Sequence, residues 1–187
     1  KRRPEGLKCG MAESALKHPK GRIRRLPPDA VNRIAAGEVV ERPAAAAKEL
    51  IENALDAGAR AIRVRIEGGG LVRLMVEDDG YGMSVDELPV AIERHATSKI
   101  RRVEDLQGVA TLGFRGEALP SIAAVSRFEL VTRTADGAGT RIRMEAGVLQ
   151  DVREVGAAKG TVVEARTLFH TLPARRAFLR SAETELS

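Results

Sequence analysis

Glu49 and Asn53 lie four residues apart in Lys48-Glu49-Leu50-Ile51-Glu52-Asn53-Ala54-Leu55-Asp56-Ala57-Gly58. In a helix that spacing stacks a carboxylate and a carboxamide on one face. Such a pair can place a base beside a metal ion held by a neutral oxygen. Leu50, Ala54 and Ala57 follow the same spacing one step round and can face a core. Gly58 suits a left-handed C-terminal cap. An isolated E-x-x-x-N is commonly just a solvated polar face, so the reading depends on what lies downstream.

Three further stretches could complete a site. Asp78-Asp79-Gly80-Tyr81-Gly82 follows directly on a predicted strand. Glycines two apart let backbone approach a flat ligand. A carboxylate at a strand end can accept a hydrogen bond from an exocyclic amine, such as that of adenine. Gly113-Phe114-Arg115-Gly116-Glu117-Ala118-Leu119 reads as a glycine-rich turn opening a helix. Backbone N–H groups at a helix start attract an anion with help from the helix dipole, and Arg115 adds a fixed positive charge for a phosphate. The P-loop signature G-x-x-x-x-G-K-S/T is absent, so a phosphate cradle here is of another kind. Gly160-Thr161 opens a strand, and the threonine hydroxyl could bond a base or a water beside it. Each stretch has a plain alternative: a D-G turn, a helix entry, a β-forming threonine.

These groups need elements to carry them. Leu26-Pro27-Pro28 stops any earlier helix, and Asp29 is a plausible N-cap for a short helix to Ala36, ended by Gly37. Pro43 can occupy the first turn of the main helix. Ile62 to Ile66, and Val72, Leu74 and Val76, alternate as two half-buried strands with a wet side, joined at Gly68-Gly69-Gly70. That triple glycine opens no helix and is not a nucleotide fingerprint. Ser84 and Glu87 form a capping box for a helix to about Arg94, which Pro89 should shorten or distort. Residues 95–115 are weakly periodic, and so long a loop in a compact domain is usually functional. A helix is expected from Glu117 to Val125, strands near 127–133, 140–145, 148–154 and 161–166 with a turn at Asp136-Gly137, and a helix start at Pro173.

The chain has 187 residues, enough for one domain with a sizeable core. At 43% hydrophobic and 30% charged it reads as a soluble globular protein, and with 3% aromatics its core must rest on Val, Ile, Leu and Ala. No apolar run approaches the roughly 20 residues needed to cross a bilayer. One cysteine, Cys9, excludes an internal disulfide, and no Cys/His cluster suggests zinc. Residues 1–25 carry nine Lys/Arg against two Asp/Glu, so of the net +5 the remainder holds −2. Residues 1–21 therefore read as a disordered basic leader that could touch DNA non-specifically, with Met11 a candidate native start and residues 1–10 added upstream of it. The folded body argues against strong DNA binding by itself.

In this order and spacing, E-L-I-E-N-A-L-D-A-G, D-D-G-Y-G, H-A-T-S-K, G-F-R-G-E-A-L and G-T resemble the MutL family of DNA mismatch repair proteins. A-A-G-E-V-V-E-R-P at 35–43 and P-A-R-R-A-F-L at 173–179 match as well. The resemblance runs from about Arg22 to the end. It implies an ATP-binding domain over 22–187 with the Bergerat-type fold shared by gyrase B subunits, the large heat-shock chaperone and sensor histidine kinases. That fold is an α+β two-layer sandwich, a mixed, mostly antiparallel sheet with helices on one face. By the resemblance Glu49 is the general base for the attacking water, Asn53 the magnesium ligand and Asp78 the adenine reader. Gly82 lies beneath the base, Thr161 completes the pocket with Ala57 and Gly58 at its edge, and Met83 is a further nucleotide-binding residue. Thr97, Ser98, Lys99 and Leu112 with Gly113, Phe114, Arg115, Gly116, Glu117, Ala118 and Leu119 are the lid around the phosphates. Asp79 stands where many relatives carry asparagine and is expected outside adenine contact. Glu52 reads as a surface or supporting residue, and His95 as a structural hydrogen-bonder.

The implied function is a slow, magnesium-dependent ATPase switch. ATP orders the lid, the domain dimerises with itself, and the state is passed to a mismatch-recognition protein and downstream repair enzymes, with DNA as a further partner. A bacterial cytoplasmic location, nucleoid-associated during repair, follows from the same likeness. Family members continue into a second domain that supplies a lysine to the γ-phosphate, and then to a dimerisation domain. A fragment without that lysine is expected to turn over slowly or not at all. The other readings are a gyrase- or histidine-kinase-type ATP module and a plain DNA-binding module. The only histidine ahead of the main helix, His18, lies in the leader, which disfavours a kinase.

Overall fold

The computed structural model describes residues 24–94, 96 and 116–179. Residues 1–23, 95, 97–115 and 180–187 lie outside the described residues, and with them the expectations for the leader and for His95, Thr97, Ser98, Lys99, Leu112, Gly113, Phe114 and Arg115.

Two helices come first, α1 (Pro28–Val39) and α2 (Pro43–Asp56). A proline at the first turn starts each, where its missing N–H costs nothing and its fixed φ is already helical. The cap of α1 is therefore Pro27, not Asp29. Gly37 does not end α1, which runs on to Val39. Its role is close packing: a β-carbon there would sit 2.9 Å from Leu172 Cδ1. The hairpin β1 (Ile62–Glu67) and β2 (Arg73–Asp78) is joined through a 3-10 turn at Gly68–Gly70. Then come α3 (Glu87–Ala91), α4 (Ala118–Ala124), β3 (Arg127–Arg133), β4 (Gly139–Glu145), β5 (Val148–Val155), β6 (Gly160–Arg166) and α5 (Pro173–Phe178). The Ser84–Glu87 box forms as expected, with Ser84 N–H 2.9 Å and Ser84 Oγ 2.9 Å from Glu87 Oε2. It closes the turn ahead of α3 rather than capping it, since the N-cap is Asp86, and α3 stops at Ala91, short of Arg94.

The sheet order is β1-β2-β6-β3-β4-β5, and every described neighbour pair is antiparallel. The expected mixture of strand directions is corrected to that extent. The α+β two-layer sandwich is the architecture observed. α2 packs on β2, α4 packs on β3 and β4, and α1 lies against α4. Between the layers lie Leu74 and Val76 of β2, Phe128 and Leu130 of β3, Ile142 of β4, and Leu50 and Ile122 from the helices. Fully burying each such side chain is worth about 1.5–3 kcal/mol. The other sheet face is a lattice of ion pairs, including Arg63–Glu77 at 3.1 Å, Arg73–Glu164 at 3.1 Å and Arg141–Asp151 at 3.0 Å. β1 departs from expectation: Val64 and Ile66 are each 40% exposed, because α2 does not cover the sheet edge. A cleft of about 480 Å³ lies there, lined by Ile51, Leu55 and Ile66 among others and by none of the predicted site residues.

β6 joins the N-terminal hairpin to the C-terminal meander. It pairs Thr161 with Asp78 of β2 on one side and with Thr132 of β3 on the other. The strand ends that could form a site are therefore neighbours, although they are far apart in the chain.

Candidate nucleotide site

The main helix ends as its glycine suggested. Gly58 has φ +68°, its N–H donates to Leu55 O at 2.9 Å, and Ala59 N–H donates to Ala54 O at 3.1 Å. This is a Schellman cap. Leu50 and Ala54 are buried, and Glu49 and Asn53 are half-buried on the adjoining face. Glu52 is held by Lys48 at 3.3 Å one turn back.

The loop after β2 is stitched to that cap. Tyr81 N–H donates to Ala57 O at 3.0 Å. A β-carbon on Gly80 would meet Ala57 Cβ and Ala57 O, both at 2.8 Å. Asp79 Oδ1 accepts from Arg60 N–H at 2.7 Å and Ala61 N–H at 2.9 Å. Asp79 thus spends its carboxylate on the α2–β1 connection. These two N–H groups hold its carboxyl below the ordinary value. A depressed folded pKa means that Asp79 contributes stability above the unfolded value, lost as pH falls through the folded one. Asp79→Ala should therefore lower the melting temperature at neutral pH and flatten its acid dependence. Asp79→Asn, which keeps the accepting oxygen, should leave nucleotide affinity nearly unchanged. Thermal melts from pH 2 to 7 and a nucleotide titration check both.

Asp78 faces the opposite way. Its Oδ1 accepts from Gly80 N–H at 2.8 Å, and the backbone N–H of Thr161 also donates to it. Burial nevertheless wins and raises its carboxyl above the ordinary 3.8. Gly82, at φ +72°, presses its backbone against Arg133 O and Gly160 O. Met83 N–H donates to Thr132 Oγ1 at 2.9 Å, and the Met83 side chain packs at the core edge. Thr132 Oγ1 lies 3.1 Å from Gly160 O and 3.1 Å from Thr161 Oγ1.

Asp78, Gly82, Met83 and Thr161 therefore meet at one end of β2, β6 and β3, with Ala57 behind Gly80. Glu49 and Asn53 lie further up the same α2. Gly116 (φ +62°) abuts the backbone of Ala96. Glu117, Ala118 and Leu119 lead into α4, and Leu119 packs on the core. Thr132 was missed by reading the sequence. The available signal was a hydroxyl at the third inward position of β3, after Phe128 and Leu130. Among the described residues no three His, Cys, Asp or Glu side chains form a metal cage, and no helix is long and apolar enough to cross a membrane.

The family model for histidine kinase-, DNA gyrase B- and HSP90-like ATPases matches residues 41–165. The chain is 62% identical over 165 residues to the DNA mismatch repair protein MutL of Syntrophobacter fumaroxidans, covering 88% of this chain and 25% of that protein. It is 59% identical over 165 residues to the MutL of Anaeromyxobacter dehalogenans, covering 88% of this chain and 27% of that one. The chain thus spans about a quarter of the length of these curated relatives. Among solved structures it is similar to the Aquifex aeolicus MutL ATPase domain complexed with ADP, with TM-score 0.59, 36% identity, and coverage of 79% of this chain and 51% of that one. It is also similar to the N-terminal domain of a DNA repair protein, with TM-score 0.67, 32% identity, and coverage of 82% and 45%.

Proposed function

Since this chain belongs to the histidine kinase-, DNA gyrase B- and HSP90-like ATPases, on their MutL mismatch-repair branch, we propose that it is a magnesium-dependent, ATP-binding switch that hydrolyses ATP slowly. The observation that carries this reading is the hydrogen-bonded convergence of Asp78, Thr161 and Gly82–Met83 beside the end of α2. Asp78 accepts from the adenine amine, Thr161 completes that edge, and Gly82 packs its bare backbone against the strand ends that carry these groups, which brings the loop beneath the base. Asn53 offers magnesium one neutral oxygen. A hard cation that keeps phosphate oxygens and waters as its other ligands suits so small a protein donor set. Bound magnesium supplies charge neutralisation at the phosphates. Glu49, one turn away, takes the proton of the attacking water.

Titrating ATP with and without magnesium tests these roles. Glu49→Ala should keep ATP affinity within about threefold while turnover falls by about 10²–10⁴. Asn53→Ala should remove the magnesium dependence of binding. Loss of ATP binding in Glu49→Ala would reassign that residue from base to ligand.

The segment from Ser84 through Arg115 is the proposed lid, ordered by phosphate contacts in the manner of other nucleotide switches. Its ordering creates a surface for self-association and for coupling to a mismatch-recognition protein, downstream repair enzymes and DNA, in a bacterial cytoplasmic setting. A non-hydrolysable ATP analogue should increase hydrogen-exchange protection across this segment. Unchanged protection at saturating analogue would reject the switch.

A further inference from the structure

Thr132 is a polar side chain only 1% exposed, and its hydroxyl has three neighbours to satisfy with one proton. Met83 N–H can only donate, so it takes one lone pair of Thr132 Oγ1 at 2.9 Å. Gly160 O can only accept, and it lies 3.1 Å away. If the Thr132 proton pointed elsewhere, two buried oxygens would face one another with no hydrogen between them, which is costly away from water. The proton therefore goes to Gly160 O. The remaining lone pair faces Thr161 Oγ1 at 3.1 Å, so Thr161 must donate its own proton inward to Thr132. Thr161 then has only lone pairs left for the pocket. Its neighbour in register, Asp78, is also an acceptor there.

We propose that Thr132 is a positioning residue that sets the polarity of the base pocket. By consuming the Thr161 proton, it leaves two adjacent acceptors, which match the N–H bonds of a 6-amino purine and repel the oxygen of a 6-oxo purine. This rests on the adenine reading of Asp78 and extends it to a residue that need not touch the nucleotide.

The test compares equilibrium affinities for ATP and inosine triphosphate in the full chain. Thr132→Val keeps the shape and removes the hydroxyl, which frees the Thr161 proton to turn toward the base. The ATP preference should narrow by about tenfold, and Thr132→Ser should restore it. If Thr132→Val does not unfold cooperatively, Thr132→Cys takes its place with the same expected narrowing. Parallel loss of both affinities at an unchanged ratio would reduce Thr132 to a structural support and overturn the proposal. Equal binding of the two nucleotides by the unsubstituted chain, or intact ATP binding in Asp78→Ala, would instead overturn the adenine reading and this inference with it.

Discussion

Asp78→Ala is expected to weaken ATP binding by about 100-fold or more while the chain stays folded. A hydrogen bond to a charged acceptor is worth about 1.5–3 kcal/mol, and removing the carboxylate deletes the group proposed to read the base. It also strands the N–H groups of Gly80 and Thr161, both of which now donate to it. The loop carrying Gly82 then loses its anchor as well as its ligand. The fold survives because Leu74 and Val76, which hold β2 in the sheet, are untouched. Calorimetric titration beside a thermal melt separates the two effects. ATP affinity within tenfold of the unsubstituted chain would remove Asp78 from the site.

The same carboxyl predicts a pH profile. Burial raises its pKa above 3.8, so the proton that cancels the acceptor arrives at a higher pH than for a surface aspartate. ATP affinity should fall as pH is lowered through that raised value, and Asp78→Asn should lack this inflection. The folded state binds this proton more readily than the unfolded chain, so acid favours the fold at Asp78. At Asp79, whose folded pKa is depressed, acid opposes the fold. Two adjacent aspartates thus pull stability in opposite directions.

Gly82→Ala should be among the most damaging single methyls in the site, with Gly160→Ala, whose β-carbon would stand 2.0 Å from Asp78 O. A β-carbon at Gly82 would stand 2.1 Å from Arg133 O and 3.2 Å from Gly160 O, both backbone atoms of paired strands that cannot rotate away. The residue also holds φ +72°, where an L side chain is strained. Together these should cost on the order of 2–4 kcal/mol, a drop in melting temperature of roughly 5–15 °C for a domain of this size. Relief by moving the loop would break the Met83–Thr132 hydrogen bond, so ATP binding should fail in parallel. Gly58→Ala is the control, with a similar φ of +68° but nothing within 4 Å of the added carbon. It should cost only about 1–2 kcal/mol and spare binding. Equal effects of the two substitutions would show that conformation alone, not contact with the strands, explains Gly82.

Much of this was legible in the residues. Alternation from Arg127 to Arg166 places β3, β4, β5 and β6 within about a residue of their observed ends. Pro43 and Gly58 bracket α2, and Ser84 with Glu87 opens the turn before α3. These features depend on neighbours a few positions away, which local sequence states directly. The errors share one cause. Gly37 looks like a helix stop but is an inward packing surface, because Leu172 arrives from the far end of the chain. Val64 and Ile66 alternate like core residues, yet they lie on an edge that α2 leaves open.

By itself the sequence determined the element types, the family likeness and which motifs could carry nucleotide chemistry, because each follows from local spacing and side-chain chemistry. Only the tertiary structure decided that β6 lies between β2 and β3, and so that Asp78, Thr161 and Thr132 share one hydrogen-bonded edge. It also decided that Asp78 turns toward burial while Asp79 turns toward free backbone N–H groups. The physical reason is that strand order and burial are set by the packing of distant segments, and hydrogen-bond polarity depends on which partners that packing brings within about 3 Å.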